Sequence, residues 1–220
     1  MHIQKKLGVL LWGILLLLLT AGCASSPVHT VVPDYDERGI RLIALMPVDN
    51  KSDDPNAASV LRREILESLY FKGYPKIPLT VVDERIALLD DEAPSKSEKT
   101  ATPQAMGRVL GVDAALYCTL TEWDTDAVLI YGSTSVAASF ELRSAKTGEM
   151  LWSASEGHVD RHYDVGNTRL RAKSLITIES VAREMVDKAM ATFPDGPEAI
   201  KRAPPISKKS KMLRWFRKWW

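Results

Sequence analysis

The chain has 220 residues, 45% hydrophobic and 26% charged, an ordinary balance for one globular domain with tails. Two cysteines, Cys23 and Cys118, exclude a disulfide framework, so the fold must be held by its apolar core. The net charge of +1 conceals a split: all 28 acidic residues fall between Cys23 and Ile200, while Lys201 to Trp220 holds eight basic residues and no acid, an acidic body with a basic tail.

At the start, Lys5 and Lys6 precede thirteen apolar residues, Leu7 to Leu19, and then Thr20-Ala21-Gly22-Cys23. That run is short for a membrane-spanning helix, which needs roughly 20 residues, and fits the core of a cleaved signal. The segment resembles the bacterial lipobox, with cleavage between Gly22 and Cys23 and with Thr20 where leucine is commonest. The resemblance implies that residues 1–22 are removed and that the Cys23 thiol carries a diacylglycerol. With each buried methylene adding about 0.8 kcal/mol, several acyl chains such as palmitate make attachment effectively permanent. Ala24 after the cysteine, in place of aspartate, points to the outer membrane.

Residues 23–38, with Ser25, Ser26, Pro27 and Pro33, are expected to be a tether, and 39–196 a single domain. Ile40 to Val48 (IRLIALMPV) reads as a strand covered on both faces. Asp54 and Pro55 open a helix in which Val60, Leu61, Ile65, Leu66, Leu69 and Tyr70 recur at helical spacing until Gly73. Gly73 to Pro78 is an extended connection. Leu79 to Val82 is expected as a strand, Asp83 to Leu89 as a brief helix, and Asp90 to Thr100 as a surface loop. Thr102 and Pro103 open a helix that carries Met106, Val109 and Leu110 and ends at Gly111. Strands then follow over Asp113–Trp123, about Ala127–Arg143 and Glu149–Ser155. A turn at Asp124–Asp126, a break near Gly132, Ser133 and Ser135, and a tight turn at Ala145–Gly148 separate them into an antiparallel meander. After a polar crossing, Leu170 to Phe193 is a long amphipathic helix with Leu175, Ile178, Val181, Ala182, Met185, Val186 and Ala189 on one face. The order β-α-β-α-α-β-β-β-α describes an α/β fold with a single mixed parallel and antiparallel sheet and packed helices.

Four segments carry a wider resemblance: Leu45-Met46-Pro47-Val48-Asp49-Asn50; Gly73-Tyr74 to Pro78; Gly111-Val112-Asp113-Ala114-Ala115-Leu116-Tyr117 with Trp123 beyond; and Thr147-Gly148-Glu149-Met150-Leu151-Trp152. In this order and spacing they resemble a family of bacterial lipoproteins of uncharacterised function typified by a neisserial antigen. Its fold is similar to the TolB amino-terminal domain and to curli-secretion and penicillin-binding-protein-activator lipoproteins. The resemblance implies a non-enzymatic, periplasm-facing module of an envelope secretion or transport complex, or alternatively an activator of a peptidoglycan synthase. It brings no catalytic residues, and Pro47, Gly73, Gly111 and Gly148 look architectural.

The residues themselves offer little chemistry. His158 and His162, interleaved with Asp160 and Asp164, would suit a metal only on a helix, and they are expected instead as polar residues of the crossing loop. Cys118 sits in an apolar run and reads as a buried, inert thiol. No HExxH, GxSxG, phosphate loop or paired CxxC occurs, so neither catalysis nor a cofactor is expected. The tail, 197–220, is more informative. Met212, Trp215, Phe216, Trp219 and Trp220 share one face of a helix, flanked by Lys208, Lys211, Arg214, Arg217 and Lys218, the composition of an interfacial amphipathic helix. The alternatives are docking on a partner protein, folding back on the acidic body, or gripping an anionic polymer. Nucleic acid is not expected, because the signal removes the chain from the cytoplasm. The expected partners are the membrane, through the acyl chains, and envelope proteins; the oligomeric state is left open.

Overall fold

The computed structural model describes residues 28–92, 101–128, 131–163 and 167–199. A three-stranded antiparallel meander forms the centre: β4 (Ala114–Val128), β5 (Tyr131–Ser144) and β6 (Met150–Tyr163). On one side β2 (Ile43–Leu45) and β3 (Asp49–Asn50) run parallel to β4, and on the other β1 (Val28–Val31) runs antiparallel to β6. The helices are α1 (Ala57–Phe71), α2 (Leu79–Glu92), α3 (Pro103–Leu110) and α4 (Asn167–Ala191). This is the mixed α/β sheet that the sequence predicts.

Strict alternation along β5 sends every second residue inward, where α1 and α4 cover the sheet. Val136, Ala138, Phe140 and Leu142 pack there with Leu61, Ile65, Val181, Met185 and Val186, all almost fully buried. Trp152 lies at the centre of the aromatic part, its ring 4.7 Å from Phe193 and 6.2 Å from Phe140, and its Nε1–H donates to Thr192 Oγ1 at 3.2 Å. Burying a tryptophan requires such a partner for its one polar atom. The opposite face is covered at one end only, where α2 and α3 close Met46, Val82, Met106 and Ala115 into a smaller core. Beyond it most outward residues of the meander are small or polar, as on a wetted antiparallel sheet, with Val159 and Tyr163 the large exposed exceptions.

Five expectations change. The one strand expected over Ile40 to Val48 is cut to Ile43–Leu45, with a separate short strand at Asp49–Asn50. The tether gives way at Val28: Val28–Val31 pairs with Ser155–Trp152, and a 3-10 turn, Tyr35–Arg38, follows. Arg38 then fastens this strap to the turn before β6 through Glu149 at 2.7 Å. Leu79–Val82 is the first turn of a helix, because Leu79, Val82, Ile86 and Leu89 recur at helical spacing and meet the two cores; the β-branched Val81 and Val82 mislead. Neither the turn at Asp124–Asp126 nor the break near Gly132 exists, since β4 and β5 pair continuously from Glu122↔Ala137 to Val128↔Tyr131. The acids Glu122, Asp124 and Asp126 occupy the wet face, while Trp123 points inward. Gly132 instead makes room for a ring, as a Cβ there would stand 2.6 Å from His162 Nε2. Finally, β6 continues through the predicted crossing loop to Tyr163. The long helix matches its expected face at Ile178, Val181, Ala182, Met185, Val186 and Ala189; the side chain of Leu175 lies outside the described residues.

Candidate functional site

Cys23, Gly22 and the tail residues Lys211, Met212, Arg214, Trp215, Phe216, Arg217, Lys218, Trp219 and Trp220 lie outside the described residues. The structure shows where the chain enters and leaves the domain. It enters at Val28, five positions after Cys23. It leaves through 194–199, which is clamped to the end of α1: Gly196 N–H donates to Lys72 O at 2.7 Å and Glu198 N–H to Gly73 O at 3.1 Å. Lys72 Nζ adds a bridge to Asp195 at 3.2 Å. Gly73 makes the clamp possible, with φ of +91° and the backbone of Ala199 where a Cβ would be. A groove of about 760 Å³ runs between this segment and the N-terminal strap, bordered by Val32, Pro33, Tyr35, Thr192, Pro194 and Asp195. Behind it the hydroxyls of Tyr35 and Tyr74 meet at 2.9 Å, and burial pushes both phenols above their ordinary pKa.

A second cleft, about 570 Å³, opens on the wet face beside α3. Thr102 caps this helix by accepting from Ala105 N–H at 3.2 Å, as its sequence position predicts. Asp49, Thr119, Ser139, Glu141 and Arg143 converge on it. Its groups are already occupied: Arg143 holds Glu141 through Nε at 3.0 Å and Nη2 at 2.7 Å, and Tyr117 donates to Ala101 O at 3.0 Å. Burial raises the Tyr117 hydroxyl to about 12 and the Cys118 thiol to about 12. Both are protonated at neutral pH and neither is primed for attack. This arrangement suits polar recognition at a shallow surface.

His158 and His162 are strand residues, contrary to the expected loop. His158 is bracketed by α4, with Lys188 Nζ 2.7 Å from Nδ1 and Glu184 Oε2 3.1 Å from Nε2. His162 is 6% exposed, over Gly132. Period two explains their shared face, since residues four apart in a strand also point the same way. Among the described residues no group of three or more His, Cys, Asp or Glu is placed to hold a metal ion, and no helix is long and apolar enough to cross a membrane. Sequence reasoning missed Arg62 of α1, which is 9% exposed. It holds Asp83 with Nη1 at 2.9 Å and Leu45 O with Nη2 at 2.9 Å, and nothing in its local pattern distinguishes it from a surface arginine.

A mixed sheet with helices across one face and two shallow clefts defines an α/β module. Residues 34–197 match the family described as "Putative lipoprotein GNA1162-like", and the chain belongs to that family. A Neisseria meningitidis serogroup B relative, "Putative lipoprotein NMB1124/NMB1162", is 24% identical over 161 residues, covering 71% of this chain and 74% of its own. Among solved structures, lipoprotein GNA1162 from Neisseria meningitidis is 25% identical, with a TM-score of 0.48, over 64% of this chain and 98% of that one. A PelC dodecamer from Paraburkholderia phytofirmans is 18% identical with a TM-score of 0.50, over 76% of this chain and 94% of that chain.

Proposed function

We propose that this chain is a lipid-anchored component of the bacterial envelope, acylated at Cys23 after cleavage behind Gly22, held at the periplasmic face of the outer membrane, and acting by binding protein partners without catalysis. The observation that carries this is continuity. The first strand of the folded domain begins at Val28, five positions beyond the lipobox cysteine and six before the family match starts at residue 34, so signal and module abut. The occupied polar groups of the cleft at Arg143 support recognition over chemistry. PelC, of similar fold, is a dodecamer, which makes further copies of this chain the first partners to look for, inside a secretion or transport assembly.

The tail supplies a second contact. Its aromatic face, Met212, Trp215, Phe216, Trp219 and Trp220, would enter lipid headgroups while Lys211, Arg214, Arg217 and Lys218 meet anionic groups. It starts from a fixed point, because Ala199 is held against Gly73.

Metabolic labelling with an alkyne analogue of palmitate, followed by crosslinking in intact cells, tests the main reading. The native chain should incorporate the label, fractionate with the outer membrane and crosslink to defined proteins, and Cys23→Ser should lose the label. Label retained by Cys23→Ser, or a native chain crosslinked to nothing at native expression, would overturn it.

A further inference from the structure

The long meander ends in a row of two aromatic rings, one of them largely open to solvent. Tyr131 and Tyr163 pair across β5 and β6, with ring centroids 5.5 Å apart, and Tyr163 is 69% exposed. Val159, on the same wet face, is 40% exposed. The next row inward on the same face, Asp126, Ser133 and Arg161, is charged. Aromatic residues at the end with charge one step behind is the ordering found where a protein meets a membrane interface.

The direction of β1 supplies the second observation. Because β1 is antiparallel to β6 and Val28 pairs with Ser155, the chain before Val28 leaves the sheet at the end nearer Tyr163. Five steps separate Cys23 from Val28, a reach of roughly 17 Å. Eight steps of strand separate Ser155 from Tyr163, roughly 27 Å. Even with the tether fully extended along the strand axis, the tip therefore reaches about 10 Å farther than Cys23, taking the same rise per residue.

We propose that the Tyr131–Tyr163 end of the meander is a bilayer contact, seated among the headgroups of the membrane that holds the Cys23 acyl chains. This rests on acylation of Cys23 as proposed above. The domain then stands on its sheet end, with α4, roughly 37 Å long, leading away from the bilayer and the tail beginning at the far end. The occupant is lipid and not a second copy, because the short tether presents this end to the membrane whatever the copy number.

The test uses the full lipidated chain. Cys118 is buried and Cys23 acylated, so Tyr163→Cys offers one reactive thiol for a nitroxide; Phe71→Cys, 77% exposed at the opposite end, is the control. On reconstitution into phosphatidylethanolamine and phosphatidylglycerol vesicles, the label at position 163 should lose collisions with an aqueous nickel chelate and gain them with oxygen, while the label at 71 keeps its chelate access. Adding Tyr131→Asp should restore chelate access at 163. A label at 163 as open to the chelate as that at 71, or one that stays inserted despite Tyr131→Asp, overturns the proposal. Dipolar broadening at 163 without vesicles would assign the end to a second copy and overturn it as well. Mass spectrometry of the N-terminal peptide separates the two readings: an unacylated Cys23 removes the anchor and the seat together, whereas an acylated chain with a wet tip removes the seat alone.

Discussion

Removing the carboxylate of Asp83 would strand a guanidinium that the fold has taken out of water. Arg62 leaves α1, passes the end of β2 and grips Asp83 of α2 through both terminal nitrogens, at 2.9 and 2.8 Å, while also donating to Leu45 O at 2.9 Å. Its side chain is 10% exposed and that of Asp83 47%, so the charge being stranded is the more buried member. Breaking a buried pair by deleting one partner costs about 3–5 kcal/mol, and with half of the Asp83 side chain in solvent we expect Asp83→Ala to cost about 2 kcal/mol. Arg62→Met keeps the alkyl stem packed and frees Asp83 to water, losing the bond to Leu45 O, for about 1–2 kcal/mol. Once Arg62 is gone the carboxylate has nothing to neutralise, so the double variant should cost no more than Arg62→Met alone. Urea unfolding of the unlipidated Cys23→Ser chain, followed by circular dichroism, reads all four corners of the cycle. Additive losses would show that Asp83 and Arg62 act independently and would refute the account.

Other consequences are quicker to check. Gly73→Ala should destabilise the domain by about 2 kcal/mol or more, because it adds a positive-φ penalty to a clash with the clamp at Ala199; a loss below about 0.5 kcal/mol, the size of an ordinary surface change, would show that the 194–199 segment is dispensable. Burial raises the Cys118 thiol from 9.0 to about 12, so at a given neutral pH its thiolate is about a thousandfold scarcer than when unfolded. Because the folded value is the higher one, this contribution to stability is complete below pH 9 and is lost as pH rises towards 12. Native Cys118 should therefore resist iodoacetamide at neutral pH and react on unfolding; rapid native labelling would place the thiol in solvent. Truncation after Ile206 should weaken liposome binding by the unlipidated chain and lower its dependence on salt, and unchanged binding would leave the tail to a protein partner.

Much of the fold is legible where one physical demand acts alone. Helices α1, α3 and α4 announce themselves through apolar spacing, and the Thr102-Pro103 start and Gly111 end of α3 appear as written. The misreadings occur where two demands compete. Residues 79–82 carry β-branched side chains, yet the apolar contacts at Leu79, Val82, Ile86 and Leu89 need a helix. Asp124, Asp126 and Gly132 resemble turn signals only until the sheet supplies a wet face for the acids and a ring to lie over the glycine. His158 and His162 look loop-like because they are polar, yet both stand on the helix-covered side of β6, where His158 meets Lys188 and Glu184 of α4 and His162 is buried. The strap at Val28–Val31 is four residues long, too short to show a period.

Sequence alone determined the family and the split between acidic body and basic tail, and the proposed address rests on it too, because a signal is read as an extended peptide before any domain folds. Only the tertiary structure decided where the first strand of the domain begins and which way it runs along the sheet. Val28 is fixed against Ser155 by hydrogen bonds between strands 127 residues apart in the chain, and no local pattern encodes the direction of a strand that finds its partner at that distance.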